Sequence, residues 1–329
     1  MTPDYQDDPV APLVDIIIPT HNRAHLIPIA VRAALDQSWW NCRVTVIDDA
    51  GSDRTEETLR PFFERPNFNY IRLAKNLGTA NAKNAGLLLT GGAAVTFHDS
   101  DDIPHRDKLL HQVRVLCARD IHADPCLNWA PTGHRPGQRL DVGAALVHHE
   151  LILPDGRRVE IRRDQSLFDD VFPNTQMGTQ VPGEWTHINS GLFRHATLAR
   201  NGGFENCIEE DREFRNRLIL NGEIVWIVPE LLLTKIETPD SLTQSKTTDY
   251  DSERRRADRL LVWERVAEWR RTGRVRPVEI DLPDLKLERV SNPALLCARN
   301  LPMTAGTRVA VEAILGQWQK GRSASEAAA

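Results

Sequence analysis

With 329 residues, 41% of them hydrophobic and 26% charged, the chain suits one large α/β domain with an appendage, or two modest domains, of a soluble protein. A net charge of −5 gives no reason to expect nucleic acid as a partner. Five scattered cysteines, none in a C-x-x-C pair, give no support to zinc or thioredoxin-like chemistry and suit a reducing compartment.

The first dozen residues are polar, acidic and proline-rich, without the basic start and apolar run of a signal peptide. No stretch approaches the roughly 18 apolar residues needed to span a bilayer. The expectation is a cytoplasmic protein with a disordered segment over 1–13, with peripheral contact at the inner membrane face left open.

Val14–Pro19 reads as a buried strand, and Ile27–Gln37 as a helix with Ile27, Ala30, Val31 and Ala34 at helical spacing. Arg43–Ile47 is a second strand ending in Asp48-Asp49-Ala50-Gly51-Ser52-Asp53, followed by a helix over 54–64. Asn69–Leu73, the alanine-rich helix Thr79–Leu89 and the strand Ala93–His98 continue the alternation, which runs into Asp99-Ser100-Asp101-Asp102. Such alternation predicts an α/β fold with a mainly parallel sheet and helices on both faces. Ligands gather outside the carboxyl ends of such strands, where all these polar clusters fall.

The middle, 127–184, is rich in Pro, Gly and His and is expected to shape an acceptor site. It contains a hairpin, His148–Leu153 and Arg157–Arg162, around Pro154-Asp155-Gly156. Ile188–Phe193, the turn Asn201-Gly202-Gly203-Phe204, a helix over 209–220 and two strands, Glu223–Val228 and Leu231–Ile236, follow. After Pro239 the texture changes to the Arg- and Trp-dense helix Ser252–Arg271, a Pro-containing connector, the helix Thr307–Lys320 and a flexible tail over 321–329. The arginine-rich helix either lies on an anionic membrane or packs its apolar stripe on its own domain; packing is the commoner use.

Asp99 and Asp101 are two apart and point the same way on an extended chain, and Asp102 adds a third acid. Acids so crowded repel unless a cation or donors lie between them. Hard cations such as Mg²⁺ and Mn²⁺ bind through carboxylates and substrate phosphates. A solvated turn in which Asp101 or Asp102 caps the next helix explains the same residues. Asp53, with Glu56, fits a capping box. That leaves Asp48 and Asp49, either of which could accept hydrogen bonds from a base or ribose.

Taken together, these motifs resemble family 2 of the glycosyltransferases. They run in order: Pro19-Thr20-His21-Asn22-Arg23; Asp48-Asp49-x-Gly51-Ser52-Asp53; Asn76-Leu77-Gly78 with Ala82-Lys83-Asn84-Ala85-Gly86; and Asp99-Ser100-Asp101-Asp102. Ser190-Gly191-Leu192-Phe193-Arg194, Gly202-Gly203-Phe204 and Glu210-Asp211 complete them. The resemblance covers Val14 to Ile236 and implies a GT-A fold, with a catalytic domain over 14–238 and a helical extension over 239–329. The first part of that domain, 14–103, would bind a nucleotide sugar, and 104–238 the acceptor.

On this resemblance, Pro19, Thr20, His21, Asn22, Arg23, Asp48 or Asp49, Asn76, Lys83, Asp99 and Ser100 bind the donor. Lys83 stands where the family usually has arginine. Asp101 or Asp102, with Asp99, holds Mn²⁺ or Mg²⁺. Asp211, beside Glu210, is the catalytic base of an inverting transfer, and Trp185 and Arg194 face a glycan or lipid-linked acceptor. Glu237 stands where relatives carry a metal-binding histidine, as a ligand or as a plain loop acid. Two rivals are a nucleotidyltransferase, disfavoured by the lack of a Gly-rich phosphate loop after the first strand, and a degenerate sugar-binding scaffold, disfavoured by the intact acids.

Overall fold

The first strand explains the layered architecture. In β1 (Val14–Thr20) every residue is buried. Ile16 and Ile18 enter one hydrophobic core with helix α1 (Ile27–Leu35), while Ile17 enters a second with α3 (Thr79–Leu88). A strand that is apolar on both faces needs a helix layer on each side. The computed structural model describes residues 11–117, 141–162, 188, 191–237 and 251–326.

Strands β2 (Cys42–Asp48), β3 (Phe68–Leu73) and β4 (Ala94–Phe97) join β1 in the parallel order β3-β2-β1-β4. A short helix α2 (Thr55–Leu59) follows β2, and a tight turn at Arg60–Phe62 prolongs it. Beyond β4 the sheet continues through antiparallel β8 (Leu192–Arg194) to β6 (Val142–Ile152), β9 (Ile224–Ile236) and β5 (Asp102–Pro104). The expected hairpin forms between β6 and β7 (Arg158–Ile161), with Gly156 at φ 81° in its turn. The two late strands expected at 223–228 and 231–236 are one strand, β9. It runs parallel to β6, and its pairing shifts register around Pro229 and Glu230. A bulge absorbs the proline that would otherwise break the ladder.

Helices α1 and α4 (Lys108–Cys117) supply residues to the first core. The second takes residues from α3, α5 (His195–Asn201) and α6 (Glu210–Leu220). The carboxy-terminal part is woven in rather than appended. Its β10 (Leu287–Val290) pairs antiparallel with β3, and Val311 and Ile314 of α8 (Ala305–Glu326) join the second core. Arg299, buried, donates to Asp15 Oδ2 on β1 (2.7 Å) and to the Gly92 carbonyl (2.6 Å).

Two expected tails are partly structured. Residues 11 and 12 are tied down by Asn41 Nδ2 on Ala11 O (2.8 Å) and Trp39 Nε1 on Pro12 O (3.2 Å). Helix α8 runs to Glu326 through the start of the expected tail. The rest of both, residues 1–10 and 327–329, and most of the region expected to shape the acceptor site, lie outside the described residues. The arginine-rich helix is α7 (Glu253–Thr272), and it packs: Val262, Val266 and Trp269 are buried beside Cys207 and Leu220. Among the described residues, no helix is long and apolar enough to cross a membrane.

Candidate active site

The loops that leave β1, β2 and β3 are tied into one ledge at the carboxyl edge of the sheet. Asn22, in the left-handed region at φ 55°, turns its Oδ1 to accept the Ser52 N–H (2.7 Å). Asp53 accepts the Ala24 N–H (2.8 Å) with one oxygen, and the Thr55 N–H (3.0 Å) and hydroxyl (2.6 Å) with the other. It thus holds two loops together, and the expected reciprocal capping box with Glu56 does not form; Glu56 instead faces Arg289 at 3.6 Å. His21 Nδ1 lies 2.9 Å from the Asp49 carbonyl, and Asn76 Nδ2 donates to that same carbonyl (3.2 Å).

The two acids that end β2 are satisfied from within the protein. Asp48, fully buried, accepts the Gly51 N–H (2.8 Å) and the Tyr70 hydroxyl (2.6 Å), with Arg72 at 3.4 Å. Asp49 accepts the Leu77 N–H (2.6 Å) and the Gly78 N–H (2.8 Å) at the start of α3. A carboxylate there also meets the positive end of the helix dipole. Burial pushes Asp49 up, and those backbone donors pull against it.

Beyond β4 the acids are arranged differently. Asp99, Asp101 and Asp102 each offer an oxygen within 4.8 Å of the others. Burial pushes Asp102 up to about 7, with Asp99 and Asp101 adding to the rise. Asp101 is raised by burial and by Asp99, while Lys235 and Arg23 pull it down. An all-oxygen set this close, with charge in excess, fits Mg²⁺ or Mn²⁺. Lys235 Nζ donates to Asp99 Oδ2 (2.9 Å) and Asp102 Oδ1 (3.1 Å).

Lys83 reaches across from α3 to α6. Its Nζ lies 3.0 Å from Glu210 Oε1 and 5.1 Å from the centre of the Phe204 ring. Burial pushes Glu210 up to about 7, against the pull of Lys83 and with a push from Asp211. Burial would lower Lys83, but Glu210, Asp99 and Asp211 outweigh it and hold the ammonium charged. Lys83 therefore stands in the field of both acidic groups. Neighbouring Asn84 exchanges two hydrogen bonds with the Phe204 backbone (2.8 and 2.9 Å). This close approach needs the two preceding glycines. A side chain on Gly203 would strike Asn84 and Ile280, and one on Gly202 the Val278 backbone.

Helix α6 begins with Glu210 and Asp211 beside this contact. Its entry is braced by Glu209, which is paired with Arg212 (2.5 Å), Arg259 (3.3 Å) and Arg255 (3.5 Å). Arg255 and Arg259 come from α7, so these two arginines hold the start of α6 rather than standing in solvent.

The structure thus brings most of the expected site residues to one edge of the sheet. Pro19 and Thr20 end β1; His21, Asn22, Asp48, Asp49 and Asn76 join in the ledge, and Arg23 acts on Asp101. Asp99, buried Ser100, Asp101 and Asp102 follow β4, and Lys83, Glu210 and Asp211 stand alongside. Three expected residues do not join them. Arg194 is a correction: it pairs with Ala94, at the other end of β4, and is buried with its Nε on Val142 O (2.6 Å). Glu237 lies outside the acid cluster, just past β9, with its N–H on Ile152 O (2.9 Å). Trp185 lies outside the described residues.

Lys235 escaped the sequence reading. The available signal was that residues two apart on a strand share a face, so Lys235 was as well placed as Glu237. The register, with Asp102 directly opposite Lys235, decides between them.

A sheet with a parallel core, polar loops at its carboxyl edge and helices on both faces is a GT-A fold. Residues 15–140 match the family described as Glycosyl transferase family 2. The putative teichuronic acid biosynthesis glycosyltransferase TuaG of Bacillus subtilis is 33% identical over 229 residues, 64% of this chain and 82% of that protein. The chain belongs to glycosyltransferase family 2 and is a glycosyltransferase. The Escherichia coli enzyme WfgD, a UDP-Glc:alpha-D-GlcNAc-diphosphoundecaprenol beta-1,3-glucosyltransferase, is 33% identical over 112 residues, covering 33% of this chain and 43% of that one. The fold is shared with S. aureus TarS solved with UDP-GlcNAc, at TM-score 0.51 and 20% identity, over 69% of this chain and 59% of that one.

Proposed function

We propose that the protein is an inverting glycosyltransferase that moves a sugar from a nucleoside-diphosphate sugar, a UDP-sugar first among the candidates, to a glycan or lipid-linked acceptor. The observation that carries this is the convergence of the β4 acids, Lys83 and the Glu210-Asp211 pair at one sheet edge. The donor reading is supported by WfgD, whose name gives UDP-Glc as donor, and by TarS, which was solved with UDP-GlcNAc. The acceptor reading is supported by the diphosphoundecaprenol in the name of WfgD.

In this reading the ledge formed by the loops after β1, β2 and β3 cradles the nucleotide. Asp99, Asp101 and Asp102 hold a divalent cation, Mn²⁺ or Mg²⁺, which when bound offsets charge on the departing diphosphate. Asp211 takes the proton from the acceptor hydroxyl as that oxygen attacks the anomeric carbon and the sugar–phosphate bond breaks. Attack from one face inverts the configuration. The charged Lys83 fixes Glu210, and so the first turn of α6, relative to α3.

Asp211→Asn tests the assignment. It is expected to cut transfer at saturating substrates by about 10²–10⁴-fold while donor affinity stays within a few-fold, as loss of a general base does. A turnover close to wild type would remove Asp211 from the chemistry. Release of nucleoside diphosphate rather than pyrophosphate separates this reading from a nucleotidyltransferase.

A further inference from the structure

The acid cluster that suits a divalent cation already holds a cation of the protein's own. Lys235 Nζ is within hydrogen-bond distance of Asp99 Oδ2 and Asp102 Oδ1. The backbone builds this contact in. Asp102 and Lys235 are directly opposed in the β5–β9 pair, so the register sets their side chains within reach of each other. The Asp102 side chain is fully buried and Lys235 is only 17% exposed. The ammonium therefore has little water to turn to, unlike an ordinary surface lysine whose ion pair is easily exchanged.

We propose that Lys235 is a tethered counter-cation that competes with the divalent ion for the oxygens of Asp99 and Asp102, so that bare metal binds the free enzyme weakly. This rests on the reading above that the three acids hold a cation. The physical argument is one of charge and space. An ion with two positive charges and an ammonium on the same two carboxylates of a partly buried site repel one another strongly, so each weakens the binding of the other. Metal entry therefore costs the two charge-assisted hydrogen bonds of Lys235. In the metal-free protein the lysine offsets part of the repulsion among the three acids, which no water-exposed counter-ion could do as well. The lysine's hydrogen bonds go to Asp99 and Asp102, which leaves Asp101 as the first point of contact for an arriving ion.

The test is a calorimetric titration of MnCl₂ alone into wild-type protein, Lys235→Met and Lys235→Arg. Lys235→Met should bind Mn²⁺ about tenfold or more tightly than wild type, within the usual range of coupling between sites, while Lys235→Arg gains nothing. Equal or weaker binding by Lys235→Met overturns the proposal, and so does tighter binding by Lys235→Arg. A second measurement needs only the wild-type chain, should Lys235→Met not fold. Acetic anhydride labelling of Lys235, read by mass spectrometry, should increase when Mn²⁺ is added, because the ion frees the ammonium. Unchanged or reduced labelling overturns the proposal. Sugar transfer assayed on the same preparations separates the two readings. Normal transfer with equal Mn²⁺ affinity in wild type and Lys235→Met sinks the competition and leaves the transferase assignment standing.

Discussion

The carboxyl ends of β2 and β4 both carry runs of acids, yet the protein treats them in opposite ways. At β2 the carboxylates of Asp48 and Asp49 are met by backbone N–H groups, the Tyr70 hydroxyl and Arg72. At β4 three carboxylates crowd within 4.8 Å, with the Lys235 ammonium shared between Asp99 and Asp102, and burial lifts Asp101 and Asp102. Acids met by several backbone and hydroxyl donors are satisfied within the chain. Acids that crowd one another keep a standing demand for positive charge, and that demand is what a ligand site offers. The same residue type at the ends of β2 and β4 is therefore surrounded differently, and only the neighbouring donors tell the two apart.

This contrast can be broken by substitution. Asp101→Asn should lower transfer by about 10²–10³-fold, as removal of one preorganised electrostatic group does, while leaving thermal stability unchanged or raised. A fall in melting temperature with activity intact would make the β4 cluster structural after all. Asp48→Ala should do the reverse in kind. It strands the Gly51 N–H and the Tyr70 hydroxyl, and buried unsatisfied donors cost about 1–3 kcal/mol each. Urea denaturation should show that loss; a stability within error of wild type would mean water replaces the carboxylate. Asp49→Asn should be milder, near ~1 kcal/mol by the same measurement, since the amide oxygen still accepts one of the two α3 hydrogen bonds.

A further prediction concerns the lysine behind the β4 acids. Burial pushes Lys108 down to about 7 from an ordinary 10.5, and its Nζ rests on Thr96 Oγ1 (3.1 Å) and beside His98. Between those two pH values the unfolded chain holds a proton that the folded chain has lost. Stability from this group therefore rises as pH climbs from about 7 towards 10.5. Calorimetric scans across that range should show wild type gaining on Lys108→Met as pH increases. A constant difference would mean that Lys108 stays charged in the folded protein.

The parallel half of the fold was legible in the sequence because its signals are local. Buried strands such as Val14–Thr20 announce themselves as apolar runs, and the acids at their ends follow directly. What the sequence hid depends on partners distant along the chain. Leu287–Val290 carries little strand signal, and becomes β10 because β3 offers an open edge. Lys235 reads as an ordinary strand residue until the register sets it opposite Asp102. The sequence offered Asp48 or Asp49 as the acceptor for a base or ribose, and the Tyr70 hydroxyl on Asp48, one strand over, could not be read from it. Arg194 fell beside a glycine-bearing motif, but antiparallel pairing carried it to the far end of β4.

The link between Asp15 and Arg299 has a consequence for how the protein comes into being. The two residues are 284 positions apart. Contacts between such distant segments close late in folding, because a long loop must be ordered before they reward it. During synthesis the first strand thus leaves the ribosome with a buried-type carboxylate whose guanidinium partner follows 284 residues later. The open edge of β3 waits likewise for β10. Until both have emerged, the nascent parallel part of the sheet carries an uncovered edge, and such intermediates are the ones that aggregate. The residues of the site are thus made long before the sheet that holds them is sealed.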